Sequence, residues 1–224
     1  MADSKNMLAN TVCSRGQLEE NQYVKFCLRG GKKRVLFFGN SITRHAPKED
    51  IGWSGDWGMA ASSADKDYVH LVVKALDEKY GTVDFCIAQG AVWEGNYHNV
   101  DEVLEKHFKS ARDFGADIVI IRIGENIPTA EHERSSCKPS FEKVVAFLSW
   151  NAEQVIVTDL FWNSAKNVVF KEVADEHGYT FVHLTDLEED ERTMAIGLFE
   201  HGGVAHHPGD FGMKCIADRI TEKL

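Results

Sequence analysis

The chain has 224 residues, and its 25 lysines and arginines are outnumbered by 35 aspartates and glutamates, which gives a formal net charge of −10. A chain of this length is typical of one globular domain with a sizeable hydrophobic core. The negative charge argues against nucleic acids and anionic membranes as partners, because both carry charge of the same sign.

The first residues differ in pattern from the rest of the chain. Residues 1–31 contain one stretch with strand character, Tyr23 to Leu28, which ends before the Gly30-Gly31 break. We therefore predict an N-terminal extension over 1–31, which contributes one edge strand at most, and a main domain over 32–224.

From residue 32 onwards, short apolar segments alternate with amphipathic ones. The segments rich in Val, Ile or Phe predict five buried strands: Arg34–Phe38, Val83–Ile87, Asp117–Arg122, Gln154–Thr158 and Thr180–Leu184. Apolar residues recur at helical spacing over 68–76 and 103–111, and again in a C-terminal helix that starts near Asp210, where an N-cap is expected. This alternation predicts an α/β fold, with a parallel sheet covered by helices on both faces.

The cysteines and the apolar runs indicate the compartment. The five cysteines are scattered and never form a CxxC pair, as is usual for reduced thiols in a cytosol. The longest aliphatic run, Ile118–Ile121, is far shorter than the roughly 20 residues that span a bilayer. Residues 1–16 lack the continuous apolar stretch of a secretory signal. We therefore expect a cytoplasmic protein that has no membrane segment.

Polar residues follow the predicted strands at the sheet edge where ligands bind in open parallel sheets. Ser41 follows the first strand, where a helix N-terminus would polarise it, and Gly90 follows the second. Asn126 follows the third, and His207 precedes the final helix. A nucleophile, two oxyanion donors and a base together would form an acyl-transfer site. Individually, Ser41 also fits a helix cap or a phosphate ligand, and Gly90 and Asn126 also fit ordinary turns.

The four motifs together resemble the sequence blocks of the SGNH/GDSL hydrolases. Gly39–Thr43 resembles the first block, in which a serine nucleophile follows Gly-Asp or Gly-Asn. Gly90 is similar to the glycine of the second block, Gly124–Asn126 to the third and His207–Met213 to the fifth. The blocks occur in the family's order and cover nearly all of the chain beyond its extension.

The resemblance implies a three-layer α/β/α sandwich with a five-stranded parallel sheet, flavodoxin-like in arrangement. It also implies a serine esterase that works through an acyl-enzyme and needs neither cofactor nor metal. Ser41 would be the nucleophile and His207 its base. The backbone N–H groups of Ser41 and Gly90 and the side-chain amide of Asn126 would form the oxyanion hole.

The chain departs from the family pattern at two positions. Ile127 stands where the third block usually has Asp, and Val204 stands three residues before the histidine, where the triad Asp is expected. Either Glu200 or a backbone carbonyl must then orient His207, and we favour the carbonyl, which leaves a Ser–His dyad.

A glycine- and tryptophan-rich segment, residues 52–63, follows the nucleophile and is not expected to be helical. It is similar to a segment of bacterial SGNH proteins associated with carbohydrate, so Trp53 and Trp57 would form a platform for a sugar ring, or else cover the edge of the sheet. Further candidates for substrate contact are Trp93, Trp162 and Glu125, although the two tryptophans also fit a core position.

These observations favour a serine hydrolase that cleaves esters of small acyl groups, most plausibly O-acetyl groups on carbohydrate. The alternative is an SGNH-fold carbohydrate-binding domain with impaired catalysis, which the loss of the triad Asp favours. A flavodoxin-like phosphate binder would leave the His207-Pro208 motif unexplained. We expect no metal at the histidines near the C-terminus, because adjacent histidines rarely converge on one ion. The sequence indicates no particular oligomeric state.

Overall fold

A six-stranded sheet organises the part of the chain that the structure describes, residues 18–224 of a computed structural model. Residues 1–17 of the predicted extension lie outside the described residues. The strands are β1 (Val24–Cys27), β2 (Lys33–Gly39), β3 (Val83–Gln89), β4 (Ile118–Arg122), β5 (Gln154–Thr158) and β6 (Thr180–Val182). They lie in the order β1-β3-β2-β4-β5-β6, and all neighbours are parallel except β1 and β3.

The five predicted strands correspond to β2–β6, with ends that differ by two residues at most. Their order, β3-β2-β4-β5-β6, is that of flavodoxin-like sheets, so the predicted fold class is confirmed. The sheet has six strands rather than five because β1, within the expected edge segment, pairs antiparallel with β3. Val24 of β1 lies opposite Ala88 of β3, and β1 is the outermost strand at this edge of the sheet.

Helices connect the strands and end the chain. They are α1 (Tyr68–Tyr80), α2 (Ala91–Glu94), α3 (Val100–Val103), α4 (Lys109–Asp113), α5 (Thr129–Arg134), α6 (Lys138–Leu148), α7 (Asn167–His177), α8 (Gly202–Ala205) and α9 (Asp210–Thr221). A π-helical turn, Leu104–Phe108, joins α3 to α4, so the helix predicted over 103–111 is irregular. Within residues 18–224, none of the helices combines the length and the apolar character needed to cross a bilayer.

Asp210 is not the N-cap of the last helix, contrary to the prediction. The N-cap of α9 is Gly209, and Asp210 is the first helical residue. The Asp210 carboxylate instead accepts hydrogen bonds from the backbone N–H (2.8 Å) and the hydroxyl (2.7 Å) of Ser62. Asp210 therefore fastens the end of the tryptophan-rich segment to α9.

The core has two apolar layers, one on each face of the sheet. Successive residues of β2 alternate between them: Val35 and Phe37 face α1 and α9, whereas Leu36 and Phe38 face the layer that contains α6 and α7. Because the central strands are buried on both sides, they read in the sequence as continuous apolar runs. Because β2 pairs parallel with both β3 and β4, the carboxyl ends of these three strands lie side by side at one edge of the sheet, where polar groups become accessible.

Candidate active site

Ser41 lies two residues beyond the end of β2, the strand between β3 and β4. The chain turns sharply there, because the N–H groups of Thr43 and Arg44 both donate to the carbonyl of Asn40. No helix begins at this turn, contrary to the helix N-terminus expected from the sequence. A side chain at Gly39 would collide with Thr43 and with the Arg122 carbonyl, so the tight turn requires glycine there.

Ser41 and His207 come together across 166 residues of chain. The Ser41 Oγ lies 2.8 Å from the His207 Nε2, and the serine side chain is largely enclosed. On the other side of the ring, the His207 Nδ1 lies 2.6 Å from the carbonyl oxygen of Gly203. A carbonyl can only accept, so Nδ1 carries the proton and Nε2 presents its lone pair to the hydroxyl. This is the tautomer that a general base requires.

The backbone around α8 creates this arrangement. His207 lies one helical turn after Gly203, and its own N–H donates to the Val204 carbonyl at 2.9 Å. The Val204 side chain packs in an apolar cluster with Trp53 and Met59, so the position that holds the acid in the family belongs to the core here. Glu200 is exposed. The Gly203 carbonyl lies at the His207 Nδ1, as in the favoured one of the two predicted arrangements.

The environment of His207 favours the neutral ring. Burial lowers the pKa of His207 to about 4, against the opposing effect of the Gly203 hydrogen bond. The partly exposed indole of Trp162 packs edge-on against the ring, with centroids 5.2 Å apart. Trp162 thus lies at the site rather than in the core, and it forms one wall beside the histidine.

The other C-terminal histidines are used in local hydrogen bonds. The His201 Nδ1 accepts from the Val204 N–H at 3.3 Å, and the His206 Nδ1 lies 2.6 Å from the Gly202 carbonyl. Within residues 18–224, no three side chains of His, Cys, Asp or Glu are grouped as metal ligands would be.

Asn126 lies in the loop after β4 and is held by Glu94, a residue that sequence reasoning missed. The Asn126 Nδ2 donates to the Glu94 Oε2 at 2.6 Å, and the Asn126 backbone N–H donates to the Oε1 at 3.1 Å. Glu94 ends the short helix α2 and is completely buried. A completely buried carboxylate is unusual, but the sequence offered no sign of it, because Glu94 stands among residues that read as a loop.

Gly90 does not fit the predicted role of oxyanion donor. Its N–H donates to the carbonyl of Gly39 at 2.6 Å and so continues the pairing of β2 with β3. A side chain here would lie 2.4 Å from the Phe38 ring and 2.5 Å from Ile123. Glycine is therefore required for close packing at this position, and its N–H is already used within the sheet.

Glu125 belongs to a buried ion pair with Arg122, which does not fit the predicted substrate contact. Its Oε1 accepts from the Arg122 Nη1 at 2.5 Å, and its Oε2 accepts from the Asn40 Nδ2 at 2.6 Å. The Arg122 Nη2 donates to the Asn40 Oδ1 at 2.6 Å, and the Lys166 ammonium donates to the Ile127 carbonyl nearby. The arginine lowers the pKa of the Glu125 carboxyl against the effect of its burial. Arg122 ends a strand of otherwise aliphatic residues, which is the one sequence signal for this pair.

The tryptophan-rich segment packs against the nucleophile turn and contains no helix over 52–63, as predicted. The Met59 N–H donates to the Ser41 carbonyl at 2.9 Å, and the Trp53 indole N–H donates to the His45 carbonyl at 3.1 Å. Only 3% of Trp53 is exposed, whereas Trp57 is partly exposed and packs edge-on against it. Trp57 therefore presents more surface to a ligand than Trp53.

Trp93 lies in the core rather than at the rim. It is completely buried, its indole N–H donates to the Ser140 hydroxyl at 2.9 Å, and its ring packs against Phe141 of α6. Of the two positions that the sequence allows for Trp93, the core position is therefore correct, and a substrate contact does not fit.

Solved structures with the same architecture include carbohydrate esterases and related hydrolases, whereas no family model and no curated protein matches the sequence significantly. The acetylxylan esterase Axe2 from Geobacillus stearothermophilus shares 15% identity at a TM-score of 0.54, over 87% of this chain and 94% of that one. A protein from Parabacteroides merdae assigned as a GDSL-like lipase shares 15% identity at a TM-score of 0.56, over 86% and 95%. A two-domain esterase, CEX, active on acetylated mannans, shares 17% identity at a TM-score of 0.56, over 85% of this chain and 48% of that one. At these identities the likeness concerns the fold, and the chain therefore has the SGNH/GDSL hydrolase fold.

Proposed function

We propose that this chain is a serine esterase that removes small acyl groups, in particular O-acetyl groups from carbohydrate. The observation that carries the proposal is the 2.8 Å contact of the Ser41 Oγ with the His207 Nε2, in the tautomer imposed by Gly203. An activated hydroxyl at the carboxyl edge of a parallel sheet is the arrangement that nucleophilic acyl transfer needs.

In this mechanism, the Ser41 Oγ attacks the acyl carbon while the His207 Nε2 takes the hydroxyl proton. The negative charge on the tetrahedral oxygen is stabilised by the Ser41 N–H and by the amide nitrogen of Asn126. The imidazolium then returns its proton to the departing alcohol, which leaves an acyl-enzyme. Water, deprotonated by the same histidine, releases the acid and restores Ser41.

Two observations support a small acyl group on a sugar. The indole of Trp162, against the His207 ring, and that of Trp57, in the segment that bonds to the nucleophile turn, remain partly exposed, and such faces pack well on sugar rings. Axe2 is an acetylxylan esterase and CEX is active on acetylated mannans, and both share this fold. The substrate class is thus a carbohydrate or small-molecule ester.

A second candidate function is an SGNH-fold carbohydrate-binding domain with impaired catalysis. The specific observation in its favour is Val204, whose apolar side chain replaces the expected acid. It predicts that acetylated oligosaccharides bind in calorimetry without releasing acetate.

Turnover of p-nitrophenyl acetate and of acetylated xylo- and manno-oligosaccharides tests the proposal. Wild type should release acetate, and Ser41→Ala should lose nearly all activity while its circular dichroism spectrum is unchanged, because a methyl group cannot attack a carbonyl. Ser136→Ala, an exposed serine between α5 and α6, serves as the control and should retain wild-type rates. Equal rates in wild type and Ser41→Ala would refute the esterase assignment.

A further inference from the structure

The Glu94 carboxylate is completely buried and accepts hydrogen bonds from four N–H groups. Oε1 accepts from the Gly124 N–H at 2.9 Å, from the Asn126 N–H at 3.1 Å and from the Asn40 Nδ2 at 3.0 Å. Oε2 accepts from the Asn126 Nδ2 at 2.6 Å. One side chain therefore bonds both to the residue before the nucleophile and to the loop that carries the amide of the oxyanion hole.

The short bond to Asn126 determines which way its amide faces. A carboxylate only accepts, so the NH₂ end of the Asn126 amide must face Glu94 and the oxygen must face away. Nδ2 carries two hydrogens, of which Glu94 engages one, and the second remains on the nitrogen for an oxyanion. The two backbone donors, Gly124 and Asn126, hold the loop at the same carboxylate.

Asn40 links this loop to the nucleophile. Its Nδ2 donates to Glu94 at 3.0 Å and to Glu125 at 2.6 Å, and its Oδ1 accepts from Arg122. Every polar atom of the Asn40 side chain is thus bonded, directly before Ser41. The Glu94 carboxylate thus connects the residue before the serine directly with the Asn126 amide.

The surroundings of Glu94 destabilise its charged form. Burial, together with the neighbouring Glu125, raises the pKa of Glu94, and the donors from Asn126 and Asn40 act against that rise. Desolvation alone would make an apolar side chain the favoured occupant of this position. The four converging donors instead suit a group that fixes the geometry of its partners.

We propose that Glu94 is a positioning residue for the esterase reaction, and that it holds the Asn126 amide with its nitrogen directed at the developing oxyanion. This inference rests on the proposed function. Glu94 touches no substrate and acts only through Asn126 and the nucleophile turn.

A double-mutant cycle between Glu94 and Asn126 tests the proposal. In Glu94→Gln, an NH₂ group replaces one acceptor oxygen and forces the facing amide to turn, so that the Asn126 oxygen lies where the nitrogen was. We expect Glu94→Gln to lower kcat by about 10²–10³, as the loss of one oxyanion donor does, with KM changed by less than about threefold. Asn126→Ala should show the same separation of kcat from KM, and the double variant should lose no more than the larger single loss.

Asp159→Asn is the matched control. Asp159 is a buried carboxylate after β5 whose hydrogen-bond partners are the Leu184 and Thr185 N–H groups and the His183 ring. Its replacement should lower the melting temperature without the selective loss of kcat. If Glu94→Gln does not fold, Glu94→Asp takes its place in the cycle, because it keeps the charge and withdraws the carboxylate by one methylene; non-additivity with Asn126→Ala is again required.

The outcomes separate this proposal from the proposed function. If the wild type is active but the kcat losses of Glu94→Gln and Asn126→Ala multiply in the double variant, the role of Glu94 is overturned and the esterase assignment stays intact. The same holds if Glu94→Gln changes KM alone or changes neither constant. A wild type that hydrolyses no ester would overturn both.

Discussion

The carbonyl oxygen of Gly203 lies 2.6 Å from the His207 Nδ1 and so serves where a triad acid would. The bond closes within one turn of α8, which makes the orientation of the base a local property of the backbone. A neutral carbonyl fixes the tautomer as a carboxylate does, but it balances the charge of an imidazolium less well. The proposed site is accordingly arranged as a Ser–His dyad.

The dyad predicts that Glu200 contributes little to the chemistry. Glu200→Gln should lower kcat by less than about tenfold, whereas removal of a true triad acid costs about 10⁴. His207→Ala should abolish turnover of p-nitrophenyl acetate and serves as the reference for loss of the base. A loss of about a thousandfold or more in a stably folded Glu200→Gln would instead identify Glu200 as the acid.

The pH dependence follows from the low pKa of His207. Burial lowers this pKa to about 4, and the charges that act on the ring include His45 and Arg122, which lower it, and Glu125, which raises it. Only the neutral ring accepts the Ser41 proton, so activity should be lost as pH falls through about 4 and should be complete at pH values well above that. The log of kcat/KM for acetate release should therefore remain flat through the ordinary histidine range near 6.5.

Circular dichroism at each pH provides the control for this measurement, since acid unfolding would also end activity. An acid limb centred near 6.5 in folded protein would contradict the prediction.

Gly90→Ala tests the packing role that the structure gives to Gly90. The added methyl would lie 2.4 Å from Phe38 and 2.5 Å from Ile123, in a core that cannot yield easily. Overpacking of this kind should lower the free energy of unfolding by about 1–3 kcal/mol in urea titration. Gly209→Ala is the control: its new methyl would lie 3.4 Å from the nearest atoms, in ordinary contact, so it should lose less stability than Gly90→Ala, its loss being that of alanine at the N-cap of α9. Wild-type stability of Gly90→Ala would show that the core yields.

Acyl chain length tests the proposed preference for small groups. The segment that follows the nucleophile is tied to Ser41, to α9 and, through the Trp53 indole, to the His45 carbonyl, and the sequence contains no long apolar lid segment. We expect kcat/KM to fall steadily from p-nitrophenyl acetate to butyrate to octanoate. A preference for the octanoate would contradict this expectation and would indicate a lipid substrate.

The strands and their order along the chain were predictable from the sequence alone, which also placed the candidates Ser41 and Asn126 after strands. Buried parallel strands leave a continuous apolar run such as Ile118–Ile121, and a residue directly after such a run must lie at the sheet edge. Ser41 and Asn126 became site candidates in this way, whereas His207, which precedes α9, became one through the family resemblance.

Only the tertiary structure determined how those groups are supported. The partners of His207, Asn126 and Asn40 are a carbonyl, a buried carboxylate and a buried arginine, and two of these lie 32 or more residues from the group that they hold. The tertiary structure likewise determined that the Gly90 N–H bonds to Gly39 of β2 and that Trp93 is buried against α6. Hydrogen-bond partners and burial depend on which segments the fold brings together, and no local pattern in the sequence specifies them.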